Sequence, residues 1–161
     1  MADDVLTELV PHLTRLSTVL GRGELYERAV AATGLPLERP AMTILVILHG
    51  ANEPLRIGQI AAQMQVAGPH ATRHVQALEG RGLVERVVDP HDQRARLITL
   101  TAKGRRTTGR YLNVVYGWFT DAMADWTAGD RRDLTRLLGR LVDELATRLA
   151  TDEDPATGPG D

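Results

Sequence analysis

Apolar residues recur through the first twenty positions at steps of three and four. Val5, Leu6, Leu9, Leu13, Leu16 and Leu20 form one stripe of a helix that stops near Gly21-Arg22-Gly23. Residues 41–48 follow Pro40 and are almost entirely apolar before Gly50, which predicts a helix buried under the centre of the fold. Residues 57–64 predict a short helix. Gly68-Pro69 opens another, carrying Arg73, Val75 and Leu78 as far as Gly80 or Gly82, because proline is tolerated in a first turn. Residues 83–88 and 96–100 are aliphatic and β-branched runs. The turn-forming sequence Asp89-Pro90-His91-Asp92-Gln93 separates them, which is the pattern of a hairpin. Thr101 is placed to cap the next helix, which carries Tyr111, Leu112, Val115, Phe119 and Met123 despite Gly104 and Gly109 and breaks near residues 127–130. A last helix shows Leu134, Leu137, Leu138, Leu141, Leu145 and Leu149 at helical spacing. Residues 151–161 are acidic and rich in Pro and Gly, the composition of a disordered tail.

Four helices, a hairpin and two more helices make a mainly α fold with a small β-hairpin wing. The central part is a winged helix-turn-helix by itself. The expected division is 1–35 for an N-terminal dimerisation helix and linker, 36–101 for the winged helix-turn-helix, 102–150 for C-terminal dimerisation helices and 151–161 for the tail. The outer stripes lie at opposite ends of the chain. They are buried most economically against each other and a second copy, which predicts a two-fold homodimer.

Composition narrows the chemistry. With no cysteine there is no thiol nucleophile, thiolate metal ligand or redox switch. Ser17 is the only serine and sits in an apolar-periodic helix, and Lys103, the only lysine, stands beside a helix start. No phosphate-cradling glycine loop is present, so neither an enzyme nor a bound cofactor is expected. No run of eighteen apolar residues suggests a membrane span, and the start Met-Ala-Asp-Asp lacks the features of a secretory signal, which predicts a cytoplasmic protein. The formal net charge of −2 conceals a segregation: residues 56–110 carry ten Arg or Lys against four Asp or Glu, while the ends are acidic. A basic segment in an acidic frame suits a protein that meets the phosphates of double-stranded DNA on one face.

The run Leu78-Glu-Gly-Arg-Gly-Leu-Val-Glu-Arg86, followed by Asp89-Pro-His-Asp-Gln-Arg-Ala-Arg-Leu-Ile-Thr-Leu-Thr101 and Gly104, resembles the signature of the MarR (multiple antibiotic resistance regulator) family. The resemblance implies a triangular dimer with two reading heads on one duplex. It also implies transcriptional regulation, commonly repression of a pseudo-palindromic operator, and often a pocket for a small aromatic or phenolic effector. On physical grounds, an arginine at a hairpin tip can enter a narrow A·T-rich minor groove, which makes Arg94 the first candidate. Asp92, two residues earlier, could hold its guanidinium, and Arg96 could reach a phosphate. In the helix opened by Gly68-Pro69, Pro69, His70, Thr72, Arg73 and Gln76 occupy the half that enters the major groove in helix-turn-helix docking, with Ala71, Val75 and Leu78 facing inward. Ala67 and Gly68 stand where the family commonly has a polar cap.

His70 and His74 have the spacing of zinc ligands on one helix face, but without thiolates or a wider donor set no metal is expected. The alternatives are DNA contact by His70, with His74 reaching a phosphate or covering the surface. His12, Arg15, His49, Tyr111, Tyr116 and Trp118 are the ligand candidates, being polar or aromatic near the expected junction of the first, second and fifth helices. A competing reading keeps the fold but turns its basic face to an acidic protein partner, without sequence-specific DNA binding.

Overall fold

The computed structural model describes residues 2–152 except Asn52, with side chains described from Asp4 to Arg148. The helices are α1 (Ala2–Gly21), α2 (Glu24–Ala31), α3 (Arg39–Gly50), α4 (Ile57–Met64) and α5 (Gly68–Gly80), followed after the hairpin by α6 (Ala102–Ala122) and α7 (Ala128–Asp152). The hairpin strands are β1 (Val84–Val88) and β2 (Arg96–Leu100). Two points differ from the pattern reading. The stretch after Gly23 is not a plain linker, because α2 occupies it with Leu25, Tyr26, Ala29 and Val30 on its inner side. And α7 continues through Asp152, two residues into the expected tail, whose remaining positions 153–161 lie outside the described residues.

Inter-residue contacts divide the chain between Gly117 and Trp118, inside α6. In the first unit Met42, Ile44, Leu45, Ile60, Val75, Leu78, Leu83 and Ile98 form a fully buried core. Helices α3, α4 and α5 pack on one another, and the hairpin closes the open side. β1 and β2 pair antiparallel with Val84 opposite Leu100 and Val88 opposite Arg96. Leu55 adds a single bridge to Ile98 through bonds of 3.0 and 2.7 Å, so three segments meet there. Burial follows the patterns that predicted the elements: along β2 Leu97, Ile98 and Leu100 are buried, and along α5 Ala71, Val75 and Leu78 face the core. The short α4 ends at Gln65, a non-glycine residue in the left-handed region at φ 55°, which turns the chain toward α5.

The first turn of α6 grips the segment between α5 and β1. Thr101 Oγ1 accepts from the Gly104 amide at 3.0 Å as an N-cap and donates to the Gly82 carbonyl at 2.7 Å. The Thr101 amide donates to the Leu83 carbonyl at 3.1 Å, and Lys103 Nζ donates to the Arg81 carbonyl at 2.8 Å. Three successive carbonyls are therefore held by one helical turn. Gly104 is the residue that allows the approach, since a Cβ there would collide with the Leu83 carbonyl.

In the second unit, Thr127 and Asp130 form a reciprocal cap at the start of α7: the Thr127 amide donates to Asp130 Oδ2 and the Asp130 amide to Thr127 Oγ1, both at 3.1 Å. The hydroxyl and amide of Thr127 hold the Asp130 carboxyl below its ordinary pKa. Along α7, Leu134, Leu137, Leu138, Val142 and Leu145 are exposed in the single chain. In the first unit Val5, Leu6, Val10, Leu16, Val19 and Leu20 of α1 are exposed as well. No described helix is long and apolar enough to cross a membrane.

Candidate nucleic-acid interface

The basic charge of residues 56–110 falls into two classes. Arg86 pairs with Glu79 at 3.0 Å, Arg81 donates to the Pro36 carbonyl at 2.7 Å, Lys103 holds the Arg81 carbonyl and Arg56 pairs with Asp89 at 2.7 Å. Arg96 donates to the carbonyls of Gln93 and Ala95 at 2.8 and 3.1 Å. These groups knit the domain together. The guanidinium groups of Arg73, Arg94, Arg105, Arg106 and Arg110 have no protein hydrogen bond or ion pair among the described residues, and all five are exposed. Cations left unneutralised at the surface are the ones able to release counterions from a phosphate backbone.

Arg73 projects from the exposed side of α5. Pro69, His70 and Gln76 are exposed there too, and Thr72 is half-buried. The helix begins after Ala67, which offers no side-chain cap, with Pro69 in the first turn. The Thr72 hydroxyl donates back to the Gly68 carbonyl at 2.9 Å. His74 departs from the sequence expectation: it neither covers the surface nor can reach a phosphate, being only 7% exposed. Its position three residues after Ala71 and four before Leu78 places it in the buried stripe. Its ring lies 5.0 Å from that of His70, and its Nε2 has no hydrogen-bond partner. Among the described residues no group of three or more His, Asp or Glu could hold a metal ion.

The wing is built from two side-chain turns in succession. Asp89 Oδ1 accepts from the His91 amide at 2.8 Å, and Asp92 Oδ1 accepts from the Arg94 amide at 3.0 Å. The Ala95 amide closes the tip on the Asp92 carbonyl at 2.9 Å. The expected Asp92–Arg94 pair is therefore corrected: Asp92 holds the main chain of Arg94, because a carboxylate two residues earlier meets the amide before it can meet the guanidinium. Arg96 likewise is turned onto the wing's own carbonyls.

Asp89 is only 5% exposed. The His91 amide first, and then the Arg56 guanidinium, hold its carboxyl below the usual range. A carboxyl whose folded pKa is depressed contributes stability that is complete above its unfolded value of about 3.9 and fades as the pH falls through the lowered one. Urea midpoints of the wild type and Asp89→Asn should therefore differ at neutral pH and converge in acid below about pH 4. An undiminished gap in acid would show that the charge of Asp89 is not what stabilises the wing.

Beside α3 and α6 the first unit contains a recess of about 360 Å³ lined by Tyr26, Arg39, Met42, Val46, Tyr111 and Val115. The Tyr26 and Tyr111 rings meet edge to face at 6.2 Å, and the Arg39 guanidinium lies 4.7 Å above the Tyr26 ring. Tyr26 donates to the Leu37 carbonyl at 2.7 Å. Burial raises the pKa of both phenols, against the opposing effect of Arg39, so both remain protonated at neutral pH. Of the ligand candidates read from the sequence, only Tyr111 lines this recess. His12, Arg15, His49 and Tyr116 are exposed, and Trp118 belongs to the second unit. Tyr26 and Arg39 line it without being among those candidates, although Leu25, Tyr26, Ala29 and Val30 carry the spacing of a short amphipathic helix.

Residues 37–95 match the MarR family. The match takes in α3, α4, α5, β1 and the wing loop. It resembles the Bacillus subtilis protein YdgJ, described as an uncharacterised HTH-type transcriptional regulator, with 28% identity over 115 residues spanning 71% of this chain and 68% of that one. A MarR family protein from Bacillus stearothermophilus superposes with a TM-score of 0.70 at 23% identity, covering 90% of this chain and 98% of that one. A mutant of S. aureus MepR bound to an oligodeoxyribonucleotide superposes with a TM-score of 0.55 at 20% identity, covering 84% and 97% of the two chains. The fold is the winged helix-turn-helix of those solved structures.

Proposed function

We propose that the protein is a cytoplasmic repressor that binds a pseudo-palindromic operator as a homodimer. The observation that carries this reading is the placement of two of the exposed, unpartnered guanidinium groups among the described residues, Arg73 on α5 and Arg94 at the wing tip. Arg73, with Pro69, His70, Thr72 and Gln76, serves the major groove; Arg94 enters the minor groove, with Asp92 and Arg96 shaping the tip that carries it. The exposed apolar residues of α1 and α7 support dimer formation, since surfaces so rich in Leu and Val are buried in a stable protein. The recess between Tyr26 and Tyr111 supports control by a small aromatic acid, whose ring would pack on the tyrosines and whose carboxylate would meet Arg39. An effector that binds better to a dimer with mismatched head spacing shifts the population away from the operator-bound form.

A nuclease footprint on the chain's own upstream intergenic DNA, repeated over a salt series with and without aromatic acids, tests the reading. Two symmetric protected half-sites, weakened steeply by salt, are expected. Absent or salt-independent binding would overturn it.

A further inference from the structure

The loop of the wing is fastened to the start of α4 by an ion pair. Arg56 stands 33 residues before Asp89 in the chain, immediately ahead of α4, and its Nη2 donates to Asp89 Oδ2 at 2.7 Å. Its own amide is fixed by Gln59 Oε1, also at 2.7 Å, so the anchor sits on the rigid first turn of α4. From Asp89 the connection runs outward without a gap. The Asp92 amide donates to the Asp89 carbonyl at 3.3 Å, and the Arg94 amide donates to Asp92 Oδ1 at 3.0 Å. The main chain of Arg94 is thus positioned through Asp92 and Asp89 by a guanidinium on another element.

Electrostatics give the pair a second role. Asp89 and Asp92 place two carboxylates in a wing that must approach a polyanion. Asp92 is exposed, whereas Asp89 is buried and neutralised by Arg56. Without that partner Asp89 would be an uncompensated buried charge, relieved most readily by turning the loop outward toward water and toward the phosphates that repel it. Resting on the DNA-reading role above, we infer that Arg56 is a positioning residue: it sets the entry angle of Arg94 through Asp89, and so helps determine preference for A·T-rich minor-groove sequence without touching DNA itself.

The test uses a duplex from the protected upstream region, with the base pairs flanking each half-site rewritten as A·T-rich or G·C-rich. Affinities are measured for the wild type, Arg56→Ala, Arg94→Ala and the double variant, with thermal melts to check folding. Arg56→Ala should weaken binding to the A·T-flanked duplex about tenfold and leave the G·C-flanked one little changed. The loss should vanish in the Arg94→Ala background and be partly restored by Arg56→Lys. Should Arg56→Ala not fold, Asp89→Asn is measured in the same way and should show the same flank-dependent loss. An equal loss on both duplexes, or a loss that persists without Arg94 together with a shallower salt dependence, would make Arg56 a phosphate contact and overturn the inference, as would unchanged affinity. A wild type that binds neither duplex would instead remove the DNA-reading role itself.

Discussion

Alanine in place of Gly104 should lower the free energy of unfolding by about 3 kcal/mol, a fall of about 10 °C in Tm. Helix propensity alone predicts the opposite sign, since alanine is the better helix former by about 1 kcal/mol. The contact decides: the added methyl would collide with the carbonyl of Leu83, a main-chain group that cannot rotate aside, while the Leu100 side chain already lies 3.3 Å away. That carbonyl is also held by the Thr101 amide, so moving it breaks the grip of α6 on the end of the reading domain. Differential scanning calorimetry of the variant checks this, and a Tm equal to or above that of the wild type would show that the turn has room to yield. Gly109 supplies the control. It lies on the same helix with nothing within 4 Å of an added methyl, so Gly109→Ala should be neutral or slightly stabilising.

Arg94→Ala should reduce operator affinity about 10- to 100-fold at fixed salt while leaving the melting curve unchanged. The stability half follows from geometry, because only the main-chain amide of Arg94 bonds within the wing and alanine retains it. The affinity half follows from the guanidinium having no protein partner among the described residues to give up. Gel-shift titrations over a salt series measure both the loss and the expected flattening of the salt dependence by about one. Unchanged DNA affinity, with capture of an acidic protein abolished, would move the basic face from DNA to a protein partner.

The elements differed in how far their sequences revealed them. α3, α5, the hairpin and α7 are strongly periodic or bounded by proline and turn residues, and each lies close to where its pattern placed it. α2 escaped because eight residues carry barely two apolar turns, and two nearby glycines resemble a linker. The side-chain geometry of the wing was only half legible. Its composition announced a turn, but whether Asp92 takes a guanidinium or an amide depends on backbone angles that no residue spacing encodes. The four-residue spacing of His74 from His70 suggests a shared exposed face, whereas its place between Ala71 and Leu78 puts it in the buried stripe. Arg56 and Asp89 lie 33 residues apart, so only the folded chain could pair them. The same holds for Tyr26, Arg39 and Tyr111, which come from three helices.

The turn of α6 that holds the carbonyls of Arg81, Gly82 and Leu83 belongs to the same helix that presents Tyr111 to the recess. Grip and recess share a helix but no side chain. Residues lining the recess are therefore free to change in size and polarity over evolutionary time while the small set at the grip, Thr101, Lys103 and Gly104, stays constrained by backbone geometry. Relatives built this way can diverge in what the recess accepts and still carry the reading helix on an unaltered mounting. Substitutions among them should concentrate around Tyr26, Arg39 and Tyr111 and spare the glycine that lets two stretches of main chain meet.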